Sequence, residues 1–143
     1  MQSDIINDLA ALEQLYGKPA APSIFKEVSY IHPVYRPFIE AAPFAALSTV
    51  GPDGMDVSPR GDPPGFIHIE DEKTLLLPDR RGNNRIDSLR NILHDNRVAL
   101  LLLIPVSAKR CGLTAVRRLL WRKRCCSASP TAICCRVRCC AFM

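Results

Sequence analysis

The run Pro78-Asp79-Arg80-Arg81-Gly82-Asn83-Asn84-Arg85-Ile86-Asp87-Ser88 concentrates the side chains best suited to hold an anion. It follows an apolar, strand-like run, Thr74 to Leu77, and leads into a helix-like run, Ile86 to Leu93. Arginine presents a fork of donors that matches phosphate oxygens. A helix N-terminus adds unpaired backbone N–H groups and the positive end of the helix dipole. Three arginines, a glycine and two asparagines at a strand-to-helix junction therefore make a phosphate cradle. A solvated, capped turn fits the same residues.

Other chemistry-bearing residues are more scattered. His32 precedes Pro33, His68 falls on a strand pattern and His94 lies near a helix end. They lack metal-ligand spacing and read as structural. Asp79, Asp87 and Asp95 recur every eighth position and read as turn and cap residues rather than a catalytic pair.

The elements that would position the junction follow from periodicity. Ser3 can cap a first helix with Ile5, Ile6, Leu9, Leu12 and Tyr16 on one side and Gly17 as its stop. Lys18 to Pro22 is a linker. Short helices are expected over Ser23 to Ile31 and Tyr35 to Ala42. Phe44 to Val50 and Met55 to Arg60 then read as strands around the turn Gly51-Pro52-Asp53-Gly54, a hairpin signal. Phe66 to Glu70, Thr74 to Leu77 and Arg97 to Ile104 complete five strands, with one helix inserted before the last. Short antiparallel strands with tight turns predict a small barrel or sandwich, in the mainly β with helices (α+β) class. Five strands leave the barrel open.

A chain of 143 residues accommodates one domain with a real core. Its formal charge of +5 hides two unlike parts. Residues 1–106 carry −4, whereas the tail from Ser107 carries +9 and holds all 7 cysteines. The N-terminal pattern is not a signal peptide, and the longest apolar run, Val98 to Val106, is too short to span a membrane. The body has no cysteine and so gives no sign of a disulfide framework. Without a secretion-signal pattern, a reducing cytoplasm is the default expectation.

Four stretches carry a family resemblance: Phe38 to Phe44, Ser48 to Gly54, Ser58-Pro59-Arg60-Gly61-Asp62, and Pro78 to Ser88. In this order they resemble the bacterial pyridoxamine 5'-phosphate oxidase-like, FMN-binding split-barrel family, over roughly Ser23 to Pro105. The resemblance implies a six-stranded split barrel, a homodimer and FMN at the subunit interface. It implies that Ser58 and Arg60 run beside the flavin and that the segment with Asp79, Arg80, Arg81, Asn83, Asn84, Arg85 and Ser88 holds the phosphate. It implies oxidoreductase chemistry on a small-molecule substrate and no catalytic acid or base, because flavin chemistry is largely the cofactor's own. A flavin-binding or other ligand-binding module without turnover is the alternative, and a nonfunctional product of a shifted reading frame is the third reading.

The tail departs from the family. The expected organisation is a helical lead-in over 1–43, a partial split-barrel FMN-binding domain over 44–105 and a basic, Cys-rich tail over 106–143. The adjacent cysteine pairs are unusual for any fold. A shifted reading frame accounts for them: over Ala108 to Arg117 it permits Glu-Thr-Leu-Arg-Val-Asn-Gly-Arg-Ala, and it turns Cys-Cys pairs into Leu-Leu. On that account the chain is truncated after its fifth strand, with Arg97 to Ile104 uncovered and a tail loosely helical through Leu113, Val116, Leu119, Leu120 and Trp121. The rival is a genuine basic tail. Its charge could attract nucleic acid nonspecifically, but it lacks interleaved aromatics for stacking and its cysteines lack the usual zinc spacing.

Overall fold

The computed structural model describes residues 5–25, 27–80, 83–105, 110–116 and 132–140. Asp8 opens the first helix, α1 (Leu9–Tyr16), by accepting from the Ala11 amide at 2.8 Å. Ser3, the expected cap, lies outside the described residues. The helix stops at Gly17, whose amide donates to the Glu13 carbonyl. None of its residues is buried. The second helix, α2 (Ala21–Phe25), starts and ends earlier than expected. Pro22 is tolerated there because the first turn of a helix needs no amide from it. The chain then extends into β1 (Glu27–Val28) before α3 (Arg36–Ala41).

The hairpin follows its sequence signal. β2 (Phe44–Gly51) pairs antiparallel with β3 (Gly54–Gly61), and Gly51 faces Gly54. Gly54 carries the turn's positive φ, 126°, a conformation that costs glycine little. β4 (His68–Asp71), β5 (Thr74–Pro78), α4 (Asp87–His94) and β6 (Arg97–Leu103) lie within a residue or two of their expected places.

Two further strands correct the reading of the tail. β7 (Arg110–Val116) pairs with β6 along its whole length, from Arg97 opposite Val116 to Leu103 opposite Arg110. β8 (Ala132–Cys140) pairs with β5, β7 and β1. The expected open edge of β6 is therefore covered. Leu113 and Val116 belong to a strand rather than a helix, while Leu119, Leu120 and Trp121 lie outside the described residues. The sequence of β8 shows why a strand forms: Ile133, Cys135, Val137 and Cys139 alternate with Cys134, Arg136 and Arg138, a period of two.

The result is a mixed α+β split barrel. Its eight-stranded sheet runs β3-β2-β6-β7-β8-β5-β4, with β1 attached to β8. β3 and β4 end this path without pairing to each other, so the barrel is not closed. Pro59 lies in β3, the kind of edge strand that tolerates a missing amide donor.

The core follows from alternation. Ala45, Leu47 and Thr49 of β2 are buried, as are Val98, Leu100 and Leu102 of β6. The register sets Leu47 opposite Leu100 and Ala45 opposite Leu102, so both strands bury the same face. Ile39, Ile67, Leu75, Leu77 and Ile92 fill the space against them. Burying each large aliphatic side chain contributes about 1.5–3 kcal/mol. The Ile31 amide donates to the Glu72 carbonyl and ties the lead-in to the β4–β5 turn. No helix among the described residues is long and apolar enough to cross a membrane.

Candidate functional site

β3 breaks the pattern of the core. Its pairing sets Arg60 opposite Ala45, Ser58 opposite Leu47 and Asp56 opposite Thr49. Opposed residues share a sheet face, and these three partners are buried. Arg60, Ser58 and Asp56 therefore extend the core face with polar groups. Met55 and Val57 are correspondingly exposed, at 78% and 60%. Such an inversion conflicts with simple burial, and conflicts of this kind mark functional sites.

A cavity of about 730 Å³ opens along this polar row. Its wall includes Ser58, Arg60, Asp79, Arg80, Asn83, Asn84, Arg85 and Ser88. Every expected site residue that the structure describes is thus gathered around one space, and Arg81 lies outside the described residues. Asp56, Val57, Pro59, Ile86 and Asp87 also line it. Sequence reasoning missed these five. Asp56 was detectable, since it shares the period-two row of Ser58 and Arg60. The volume suits a small-molecule ligand.

Local geometry explains how the loop after β5 presents its side chains. Asn83 Oδ1 accepts from the Arg85 amide at 3.0 Å, closing a small turn. Asn84 has φ 60° and is the one non-glycine residue with positive φ among those described. Asparagine tolerates this region better than most side chains. The helix that follows has Ile86 at its N-cap and no side-chain cap. Its first-turn amides are thus left to other acceptors, and Asp87 and Ser88 stand in the cavity wall.

The arginines are not bare. Arg60 Nη1 donates to Asp79 Oδ1 at 3.2 Å. Arg80 donates through Nε and Nη2 to Asp62 Oδ2, each at 2.7 Å. Arg85 reaches Asp87 Oδ2 from Nε at 2.9 Å and Nη2 at 2.8 Å. Among the described residues three arginines and three aspartates line the cavity, so their formal charges cancel. These described groups favour an anion through directed donors rather than a broad positive field. One donor stands ready: Arg60 Nε is buried and has no hydrogen-bond partner among the described residues. An orphan of this kind is costly unless a ligand satisfies it.

His32, His68 and His94 lie away from this wall. His32 Nδ1 accepts from the Val34 amide, and its ring packs at 5.9 Å from Tyr30 and 6.0 Å from Tyr35. Among the described residues no three metal-ligating side chains gather.

The architecture is an open antiparallel split barrel with a polar, arginine-lined cavity along its edge strand β3. Residues 31–123 match the family model described as pyridoxamine 5'-phosphate oxidase. The chain belongs to that family. The match takes in β7 and so extends past Pro105, the expected limit of the resemblance. No curated protein matches. Among solved structures, a candidate pyridoxamine 5'-phosphate oxidase of Lactobacillus delbrueckii is similar at TM-score 0.57 and 16% identity, covering 78% of this chain and 91% of that one. HupZ of Group A Streptococcus is similar at TM-score 0.51 and 16% identity, over 75% and 89%. An F420 reductase is similar at TM-score 0.52 and 17% identity, over 73% and 91%. At these identities the likeness is one of fold.

Proposed function

We propose that this protein binds FMN in the cavity between β3 and the start of α4, and acts through it as an oxidoreductase on a small organic substrate. The observation that carries this reading is the convergence of residues 58–60, 79–80 and 83–88 on one cavity, with an uncapped helix start in its wall. Family membership supports the same reading. In this proposal the phosphate is held by Arg80, Arg81, Arg85, Ser88 and the first-turn amides of α4. Asn83 and Asn84 shape the loop around it. Ser58 and Arg60 border the ring system, with Asp79 orienting the Arg60 guanidinium. When bound, the flavin supplies hydride or electron transfer. The chain's own residues bind, orient and limit access, and no catalytic acid or base is assigned. A cytoplasmic homodimer with the cavity at the subunit interface completes the proposal.

The test is spectroscopic. The purified chain should carry or take up FMN stoichiometrically, and a nicotinamide cofactor or organic donor should bleach the flavin absorbance anaerobically. Failure to bind FMN would refute the assignment. Tight binding with no reduction by a broad donor panel would favour a flavin-binding module without turnover.

A second reading concerns residues 106–143. The confinement of all 7 cysteines to this tail and its lack of acidic residues support a shifted reading frame. The pairing of β7 and β8 into the sheet supports a tail that belongs to the fold. The nucleotide sequence around the Pro105 codon separates the two.

A further inference from the structure

Thr49 is a polar residue in an apolar row. It follows Ala45 and Leu47 on the inner face of β2 and is 1% exposed. A buried hydroxyl is tolerated when it is hydrogen-bonded. Here the partner comes from the helix: Asn91 Nδ2 of α4 donates to Thr49 Oγ1 at 3.0 Å. Two positions further along the strand, Gly51 leaves room for the same side chain. A Cβ at Gly51 would stand 2.5 Å from Asn91 Oδ1, closer than non-bonded atoms approach. The strand thus bonds Asn91 at one residue and clears space for it at another.

This contact lies one turn from the cavity. Ser88, Asn91 and Ile92 share a helix face by their spacing. Ser88 is in the cavity wall, and Ile92 is buried in the core. Apolar packing at Ile92 holds the helix down but is non-directional, so it resists sliding and rotation weakly. A hydrogen bond is sensitive to both distance and angle. It fixes the height and rotation of α4 on β2, and with them the position of the Asp87–Ser88 turn.

We propose, on the reading of the cavity as an FMN site, that Asn91, Thr49 and Gly51 form a polar anchor that sets where the first turn of α4 meets the ligand phosphate. Asn91 and Thr49 are positioning residues: they act through the helix start and do not line the FMN cavity. Their effect falls on the phosphate end of the ligand. A merely structural contact would affect the whole site equally.

The full chain and its Thr49→Val, Thr49→Ser and Gly51→Ala variants are titrated with FMN and with riboflavin, which lacks the phosphate. Amide hydrogen exchange over α4 is followed without ligand. Thr49→Val and Gly51→Ala should weaken FMN binding about tenfold while riboflavin binding stays within about twofold. Thr49→Ser keeps the hydroxyl and should bind like the parent. Exchange over α4 should quicken in Thr49→Val. An unchanged ratio of FMN to riboflavin affinity in Thr49→Val overturns the positioning role. An equal loss in Thr49→Ser, or unaltered exchange over α4 in Thr49→Val, overturns the anchor. A parent chain that binds neither flavin overturns the reading of the cavity, and the phosphate-positioning role with it.

Discussion

Arg60 of β3 donates to Asp79, the residue after β5, at 3.2 Å, and so joins two strands that the sheet keeps apart. Four strands separate β3 from β5 along the hydrogen-bonded path. Asp62, just after β3, and Arg80, two residues beyond β5, repeat the connection. Side-chain ion pairs therefore bridge the split where backbone pairing is missing, and the cavity lies beside this bridge.

The bridge should be measurable as a coupling. The Arg60 and Asp79 side chains are only about one-fifth to one-quarter exposed, so solvent screens them less than a surface pair. A double-mutant cycle of Arg60→Ala and Asp79→Ala, read by chemical denaturation, should give a coupling of about 1 kcal/mol. A coupling below roughly 0.3 kcal/mol, within ordinary additivity error, would show that the two ends of the sheet are not held by this contact.

Arg85→Ala should weaken FMN binding by about tenfold, the lower end expected for losing a charge-assisted hydrogen bond. The lower end applies because the Arg85 side chain is 77% exposed and must share its guanidinium with Asp87. Titration of the apoprotein gives the affinity. Equal binding by parent and variant would remove Arg85 from the phosphate assignment.

The turn from α4 into β6 carries a pH signature. Side-chain hydrogen bonds from the Arg97 guanidinium, and one from its amide, pull the Asp95 carboxyl from its ordinary 3.8 down to about 2. The native state then binds fewer protons than the unfolded chain. The stabilisation is fully present above the ordinary value and is lost as pH falls toward 2. NMR titration of Asp95 should show the low midpoint, and Arg97→Gln should return it toward the ordinary range. A midpoint near 3.8 in the parent would show that the pair does not persist in solution.

Removal of residues 106–143 should abolish cooperative unfolding. That cut strips β7 from β6 and β8 from β5, exposing backbone edges that invite aggregation. Denaturation of the full chain and of the shortened one makes the comparison. A full chain that unfolds cooperatively and holds FMN stoichiometrically ends the shifted-frame account. A shortened chain that behaves identically would show that the tail adds nothing to the fold.

Local features were legible in the sequence by itself. Asp53-Gly54 announced the hairpin because a tight turn needs positive φ where glycine stands. The apolar spacing of α4 marked the helix whose start stands in the cavity wall. The residues of the loop after β5 were legible too, because arginine, asparagine and glycine before a helix carry their chemistry in their type. The strands of the tail were not legible, because cysteine and arginine dominate its composition and the period-two pattern of β8 is weak beside them. Tertiary structure decided what no local pattern encodes. It brought Asp79 to Arg60 and Asp62 to Arg80, turned Asp56, Ser58 and Arg60 inward by their register with β2, and set Asn91 on Thr49. These pairings join residues that are far apart in sequence. Only the order of strands in the sheet and the seat of α4 against it determine which side chains meet.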